Sequence, residues 1–282
     1  MYKLLFLLLA TSQAFANNKA IYGSDSRIEV RESKNPLHQK LASSVAAMVS
    51  KKKIKKMANG TSVLASGTLK DVLDVCSSSK FAKQQSVSDC TGFLVAPNLI
   101  ATAGHCVAQD MCQDSVWVFD YKLDNGKQTH IKSVKNTNVY SCKRVISHEY
   151  RRLSTVDWAV IELDRPVTGR APLKLSHKTP KVSESLFVIG TPSGVPLKVA
   201  TEKVRKTSID TFTTNIDSFG GNSGSPVFNS KTGLVEGILT RGAVDYEYTW
   251  LGLGCGKVKT YSENGGGGET VTLIDHIKSS LK

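Results

Sequence analysis

Three short segments carry side chains that could together break an acyl bond. Gly220-Gly221-Asn222-Ser223-Gly224-Ser225-Pro226 offers a serine set among glycines. A serine hydroxyl attacks a carbonyl only when a base takes its proton and N–H donors receive the oxyanion that forms. Flanking glycines allow the tight turn that aims backbone N–H groups at one point. Taken alone, the motif is also an ordinary glycine-rich turn. Ala101-Thr102-Ala103-Gly104-His105-Cys106 ends an apolar run with a histidine, which singly could be a core histidine or a weak metal ligand. Asp157-Trp158-Ala159-Val160-Ile161-Glu162-Leu163 puts a carboxylate at the mouth of an apolar run, where a strand-capping role is the plain alternative. The three together are far more specific: base, orienting acid and nucleophile, in the chain order His, Asp, Ser. The other common serine arrangement, Gly-x-Ser-x-Gly followed by an acid and then a histidine, does not fit. Ser225 stands where its second glycine is needed, and only His276 follows Ser223.

These residues need a rigid frame, and the texture of the chain says which kind. Runs rich in Val, Ile, Leu, Thr and aromatics recur at 44–49, 92–96, 99–103, 116–121, 158–163, 186–190, 224–228 and 234–240, broken by Gly, Pro, Asn and Asp. That spacing belongs to an antiparallel sandwich or barrel. Alternating helical segments are missing, which argues against a doubly wound sheet. One helix is expected at the end, over 273–281, after a flexible loop at 264–268 with four consecutive glycines. Residues 17–42 are polar without a sustained period, and 68–75 mixes helix and loop character. A length of 282 residues is enough for one large all-β unit or two small domains.

The first 16 residues read as a secretory signal: Lys3, an apolar run over 4–10, and Ala14-Phe15-Ala16 as a cleavage site. The run is shorter than the ~20 residues a membrane span needs, and no later stretch qualifies, so no membrane anchor is expected. In an exported chain the six cysteines, Cys76, Cys90, Cys106, Cys112, Cys142 and Cys255, favour disulfides. With no C-x-x-C pair, a zinc site is not expected, and nothing calls for a metal or organic cofactor. The formal charge is +13, with a basic run at Lys51-Lys52-Lys53-Ile54-Lys55-Lys56. That run is either a patch for anionic surfaces or a solvated edge. Without aromatic interleaving or a nucleic-acid motif, no nucleic-acid partner is expected.

Thr102-Ala103-Gly104-His105-Cys106, Asp157-Trp158-Ala159-Val160 and Gly221-Asn222-Ser223-Gly224-Ser225-Pro226 resemble the motifs of trypsin-like and chymotrypsin-like serine proteases. The likeness runs over about 43–282 and is strongest to bacterial glutamyl endopeptidases and their trypsin-like relatives. Tyr22-Gly23-Ser24-Asp25-Ser26-Arg27 is similar to the start of the mature chain in that subgroup. The resemblance implies an all-β fold of two packed six-stranded antiparallel barrels, about 43–168 and 169–282, with a C-terminal helix. It implies a secreted enzyme, monomeric, acting on polypeptides. His105 would be the base, Asp157 its orienting acid and Ser223 the nucleophile, with the N–H groups of Gly221 and Ser223 as oxyanion hole. Losing one such donor typically costs ~3 kcal/mol of barrier. It also implies a Cys90–Cys106 disulfide, then Cys112–Cys142, with Cys76–Cys255 left by parity.

Specificity follows from the same likeness. Asp217 falls at the base of the primary pocket, followed by Ser218, and would favour Arg or Lys before the cut. Thr240, Arg241 and Gly242 end the strand that lines the pocket. Phe219 replaces a pocket-bracing cysteine of trypsin-like proteases, and Leu239 replaces the histidine with which glutamyl endopeptidases bind an acidic side chain. Arg241 could pair with Asp217 and cancel the basic preference, or meet an acidic substrate. Asn222 stands where trypsin-like zymogens carry the aspartate that receives the new N-terminal amine, so 17–42 is either a propeptide or part of the mature fold. The competing readings are a catalytically silent homologue that serves as a binding protein, and an active protease of acidic specificity.

Overall fold

The computed structural model describes residues 20–151, 154–249 and 254–281. The expected signal segment, 1–16, lies outside them. Six strands close the first barrel: β1 (Val45–Ser50), β2 (Ser88–Ala96), β3 (Leu99–Thr102), β4 (Ser115–Phe119), β5 (Val139–Tyr150) and β6 (Asp157–Leu163). All pairings are antiparallel, in the order β5-β6-β3-β2-β1-β4 with β4 returning to β5. The second barrel is formed by β7 (Ser185–Gly190), β8 (Lys198–Thr207), β9 (Thr211–Thr214), β10 (Pro226–Asn229), β11 (Val235–Arg241) and β12 (Glu269–Leu273). Its order is β7-β10-β11-β12-β9-β8, closed by β8 on β7. Strands at 139–150, 198–207, 211–214 and 269–273 carry too many charged or hydroxyl residues to stand out by composition. The C-terminal helix is present as a 3₁₀ segment, Ile274–Leu281.

The strands that carry the site are apolar on both faces, and the reason is visible in the packing. Successive residues of a strand point to opposite faces. Leu94, Ala159, Ile161 and Trp117 fill the first barrel. Leu186, Val188, Leu239 and Val271 fill the second. The alternate residues, Phe93, Trp158 and Val160 from one side and Phe187, Ile189, Phe228 and Ile238 from the other, meet in one cluster between the barrels. Phe187 and Phe228 stack there with centroids 4.7 Å apart. The continuous apolar runs are thus two-period patterns with both faces buried.

Residues 20–42 belong to the packed structure. Ile21–Tyr22 pairs in parallel with Thr260–Tyr261, and Ile28–Glu29 adds an antiparallel edge to β8. Val30 and Ala42 enter the cluster between the barrels. Helix α1 (Pro36–Ala42) starts at Asn35, whose side chain accepts the Leu37 N–H. The unassigned stretch at 68–75 contains helix α2 (Leu69–Leu73), closed by a Thr68/Asp71 capping box. The basic run forms a 3₁₀ turn and a short strand in which Lys51, Lys52, Lys55 and Lys56 are exposed, while Lys53 bonds Asp89 at 2.9 Å.

Lys198 is buried at the first residue of β8, with its ammonium 3.2 Å from the equally buried Glu29. Burial pulls the Lys198 amine down to about 8 from its ordinary 10.5, against the pull of Glu29. The unfolded chain therefore holds that proton to higher pH than the folded one. By linkage this group adds stability as pH rises from about 8 to about 10.5. Lys198→Met is expected to lose that increment. The wild-type melting temperature should rise relative to the variant's across this range in thermal scans, and parallel curves would refute the assignment.

Candidate active site

β3 ends at Thr102, and a 3₁₀ turn (Gly104–Val107) follows it. The turn brings His105 beside the first residue of β6. The His105 backbone N–H reaches Asp157 Oδ1 at 3.1 Å, and His105 Nδ1 lies 2.7 Å from Asp157 Oδ2. A carboxylate at that nitrogen fixes the tautomer with the proton on Nδ1, leaving the Nε2 lone pair free to accept another. Asp157 is fully buried, and its own N–H donates to Thr272 Oγ1 of the second barrel at 3.2 Å. The Tyr150 ring lies 5.8 Å from the imidazole. Cys90–Cys106 ties the histidine turn to β2, Cys112–Cys142 closes the next loop, and Cys76–Cys255 joins the segment after α2 to the residues just before the short strand Lys257–Val258.

Ser223 sits in the turn before β10, and its carbonyl accepts the Thr91 N–H of β2 at 2.8 Å. This bond crosses from one barrel to the other and holds the serine turn against the histidine side of the cleft. Gly221 has φ +88°, and a Cβ there would lie 2.4 Å from the Thr191 carbonyl, so only glycine fits. The N–H groups of Asn222, Gly224 and Ser225 are spent on the carbonyls of Phe219, Leu239 and Asn222. Asn222 is buried beside Gly190 and Ser225.

The specificity residues are arranged differently from expectation. Asp217 is buried, but both its oxygens face the N-terminal segment. Oδ1 accepts from Tyr22 N at 2.8 Å, and Oδ2 accepts from Ser26 N at 2.6 Å and Ser26 Oγ at 2.7 Å. A carboxylate engaged this way is a structural anchor and not a free charge at the base of a pocket. Among the described residues Arg241 is paired not with Asp217 but with Asp157: its guanidinium, 26% exposed, approaches Asp157 Oδ2 at 3.9 Å. Thr240 Oγ1 bonds the Thr270 carbonyl, in the adjoining strand. Ser218 Oγ donates to Glu269 Oε2 at 2.7 Å. A Cβ at Gly242 would fall 2.1 Å from the same Oε2. Glu269, which the sequence did not single out, is lodged between Ser218 and Gly242, and like Asp217 it is tied to the N-terminal segment: its Oε1 accepts from Ala20 N at 3.3 Å and Tyr22 Oη at 3.4 Å. Nothing in its neighbourhood along the chain marks it, because it opens β12 after a glycine loop and meets its partners only in the closed barrel.

Two packed six-stranded antiparallel barrels with His105, Asp157 and Ser223 at their junction define the chymotrypsin-like serine protease fold. Residues 90–238 match the family model of the trypsin-like peptidase domain, and the chain belongs to that family. A curated relative, an extracellular metalloprotease of Bacillus subtilis (strain 168), is 29% identical over 179 residues, which is 59% of this chain and 55% of the relative. The chain thus spans about half the length of the relative it matches. Solved structures share the fold at low identity. A Glu endopeptidase has TM-score 0.54 at 17% identity, covering 92% of this chain and all of that one. Human heparin binding protein has TM-score 0.53 at 14% identity, over 92% and 95%. A Mycobacterium tuberculosis protein in its inactive form has TM-score 0.51 at 16% identity, over 88% and 89%.

The metal in the Bacillus relative's name finds no fitting donor set at this site. Among the described residues, the one group dense enough is Cys90, His105 and Cys106, and its two sulfurs are bonded to each other. Thiolates are the ligands such a group would need.

Burial raises the Asp217 carboxyl above its ordinary value, against the hydrogen bonds from Ser26 and Tyr22. The folded chain then holds that proton to higher pH than the unfolded one, so this group costs stability as pH rises through the window just above the ordinary carboxylate range. Asp217→Asn should remove that slope in pH-dependent thermal melts. It should also leave the ratio of cleavage after Lys or Arg to cleavage after neutral residues unchanged. A collapse of that ratio would return Asp217 to the pocket.

Proposed function

We propose that the chain is a secreted serine endopeptidase that cleaves polypeptides through Ser223, His105 and Asp157. The observation that carries this reading is the fully buried Asp157 bonded at 2.7 Å to His105 Nδ1, on the wall to which the Ser223 turn is tied. In this reading His105 Nε2 takes the Ser223 hydroxyl proton as Oγ attacks the scissile carbonyl. The N–H groups of Gly221 and Ser223 receive the oxyanion, and the imidazolium, stabilised by Asp157, protonates the departing amine. Water then repeats the sequence on the acyl-enzyme. Three disulfides suit export through an oxidising compartment.

A fluorophosphonate probe should label native protein at Ser223 and fail on Ser223→Ala. Asp157→Asn should retain the fold and lower kcat by about 10⁴-fold, as expected when the imidazole tautomer is lost. Absence of labelling on correctly disulfide-bonded wild-type protein would favour the silent, binding homologue.

The cleavage preference we assign is Lys or Arg before the cut, as the likeness to trypsin-like peptidases implies. Two arrangements favour it over acidic specificity. Leu239 offers no imidazole, and the charge of Arg241 is already answered by Asp157 Oδ2 at 3.9 Å. Cut-site mapping on a peptide library provides the measurement, and cutting indifferent to residue charge would discard the preference.

A further inference from the structure

Residues 217–219 immediately precede the glycine turn of Ser223, and they run outside both barrels' hydrogen-bond ladders. What holds them comes from nearly two hundred residues away. The Tyr22 and Ser26 N–H groups and the Ser26 hydroxyl converge on Asp217. The Ser218 N–H donates to the Ala20 carbonyl at 3.3 Å. Phe219 is fully buried with the Arg27 guanidinium 4.0 Å over its ring and the Tyr246 ring 5.1 Å away. The Phe219 carbonyl then accepts the Asn222 N–H, which starts the turn that presents Ser223. Three consecutive residues of the loop are thus each fixed by the same short N-terminal segment.

That segment is itself built to be rigid. Arg27 is only 3% exposed. Asp25 grips it twice, Nε to Oδ1 at 2.9 Å and NH2 to Oδ2 at 2.7 Å. Burial works to raise the Asp25 carboxyl, yet the Arg27 guanidinium beside it holds it below the usual carboxylate range. Lys80 bonds the Arg27 carbonyl, and two residues on, Glu29 is locked to Lys198. A guanidinium over an aromatic face and out of water holds that ring by cation–π attraction, which desolvation strengthens.

We propose that residues 20–27 are a retained strap that sets the oxyanion-hole loop, with Arg27 as a positioning residue acting through Phe219. This rests on the reading of Ser223 as nucleophile. It also decides which part of 17–42 survives maturation: any processing cut falls before Ala20, since cuts progressively further in would remove the Ala20 carbonyl from Ser218, the Tyr22 and Ser26 donors from Asp217 and at last Arg27 from Phe219. Arg27 touches no substrate. Its role is to keep the Gly221 and Ser223 N–H groups converging, so its removal acts on the transition state more than on substrate binding.

The test compares Arg27→Ala, Phe219→Leu and, as a destabilising control far from the strap, Val118→Ala, each assayed where circular dichroism shows it folded. Arg27→Ala is expected to lower kcat by about 10- to 100-fold with KM within about threefold, and to weaken a peptide-aldehyde transition-state analogue in parallel. Arg27→Lys should recover part of the loss, Phe219→Leu should follow Arg27→Ala, and Val118→Ala should keep wild-type kcat. N-terminal sequencing of the active enzyme should find Ala20 retained. Wild-type kcat in folded Arg27→Ala, or in folded Phe219→Leu should Arg27→Ala not fold, overturns the proposal, as does an active enzyme that starts beyond Ala20. Failure of the enzyme reading looks different: wild-type protein itself would not react with the fluorophosphonate.

Discussion

The structure is organised around one buried negative charge. Asp157 has no exposure to solvent, and a carboxylate in that condition is tolerated only when its oxygens are bonded and its charge is answered. The His105 backbone, the His105 ring and the Arg241 guanidinium all approach it, and Thr272 fixes its backbone. These partners come from both barrels. The two halves must therefore close against each other for the charge to be tolerated, and the same closure assembles the cleft.

The apolar cluster between the barrels supplies the force for that closure. Phe93, Trp158, Val160, Phe187, Phe228 and Ile238 bury their faces there while their sequence neighbours fill the barrel interiors. Because β3, β6 and β10 each turn one face to this seam, the residues at their ends arrive together at its rim. The position of the site is a consequence of strand alternation and seam packing rather than of any local motif.

The loop that leads to Ser223 is held in the opposite way. It has no ladder of its own and borrows rigidity from the N-terminal strap, through Asp217, Ser218 and Phe219. Phe219 replaces a cysteine that would have braced the loop covalently, and the Arg27–Phe219 stack stands in that place. Asn222 cannot receive an amine as an ion pair, and the strap reaches the loop from a different side, by backbone donors and a stacked guanidinium.

His105, Asp157 and Ser223 stood out in the chain because each sits in a local pattern, and the two-barrel class followed from the resemblance those patterns carry. A base after an apolar strand, a carboxylate before one, and a serine among glycines are all set by neighbours within a few positions. Asp217 was legible as a buried acid near the serine, but its use was not. Whether it faces a pocket or a strap depends on Tyr22 and Ser26, which are almost two hundred residues distant. The same holds for Arg241, whose partner Asp157 lies on the other barrel, and for Glu269, which meets Ser218 and Gly242 only when β11 and β12 pair. The sequence by itself determined which groups exist and which strands carry them. The tertiary structure alone decided which charge answers which, because ion pairing depends on distance through space and burial, and neither is written in the spacing along a chain.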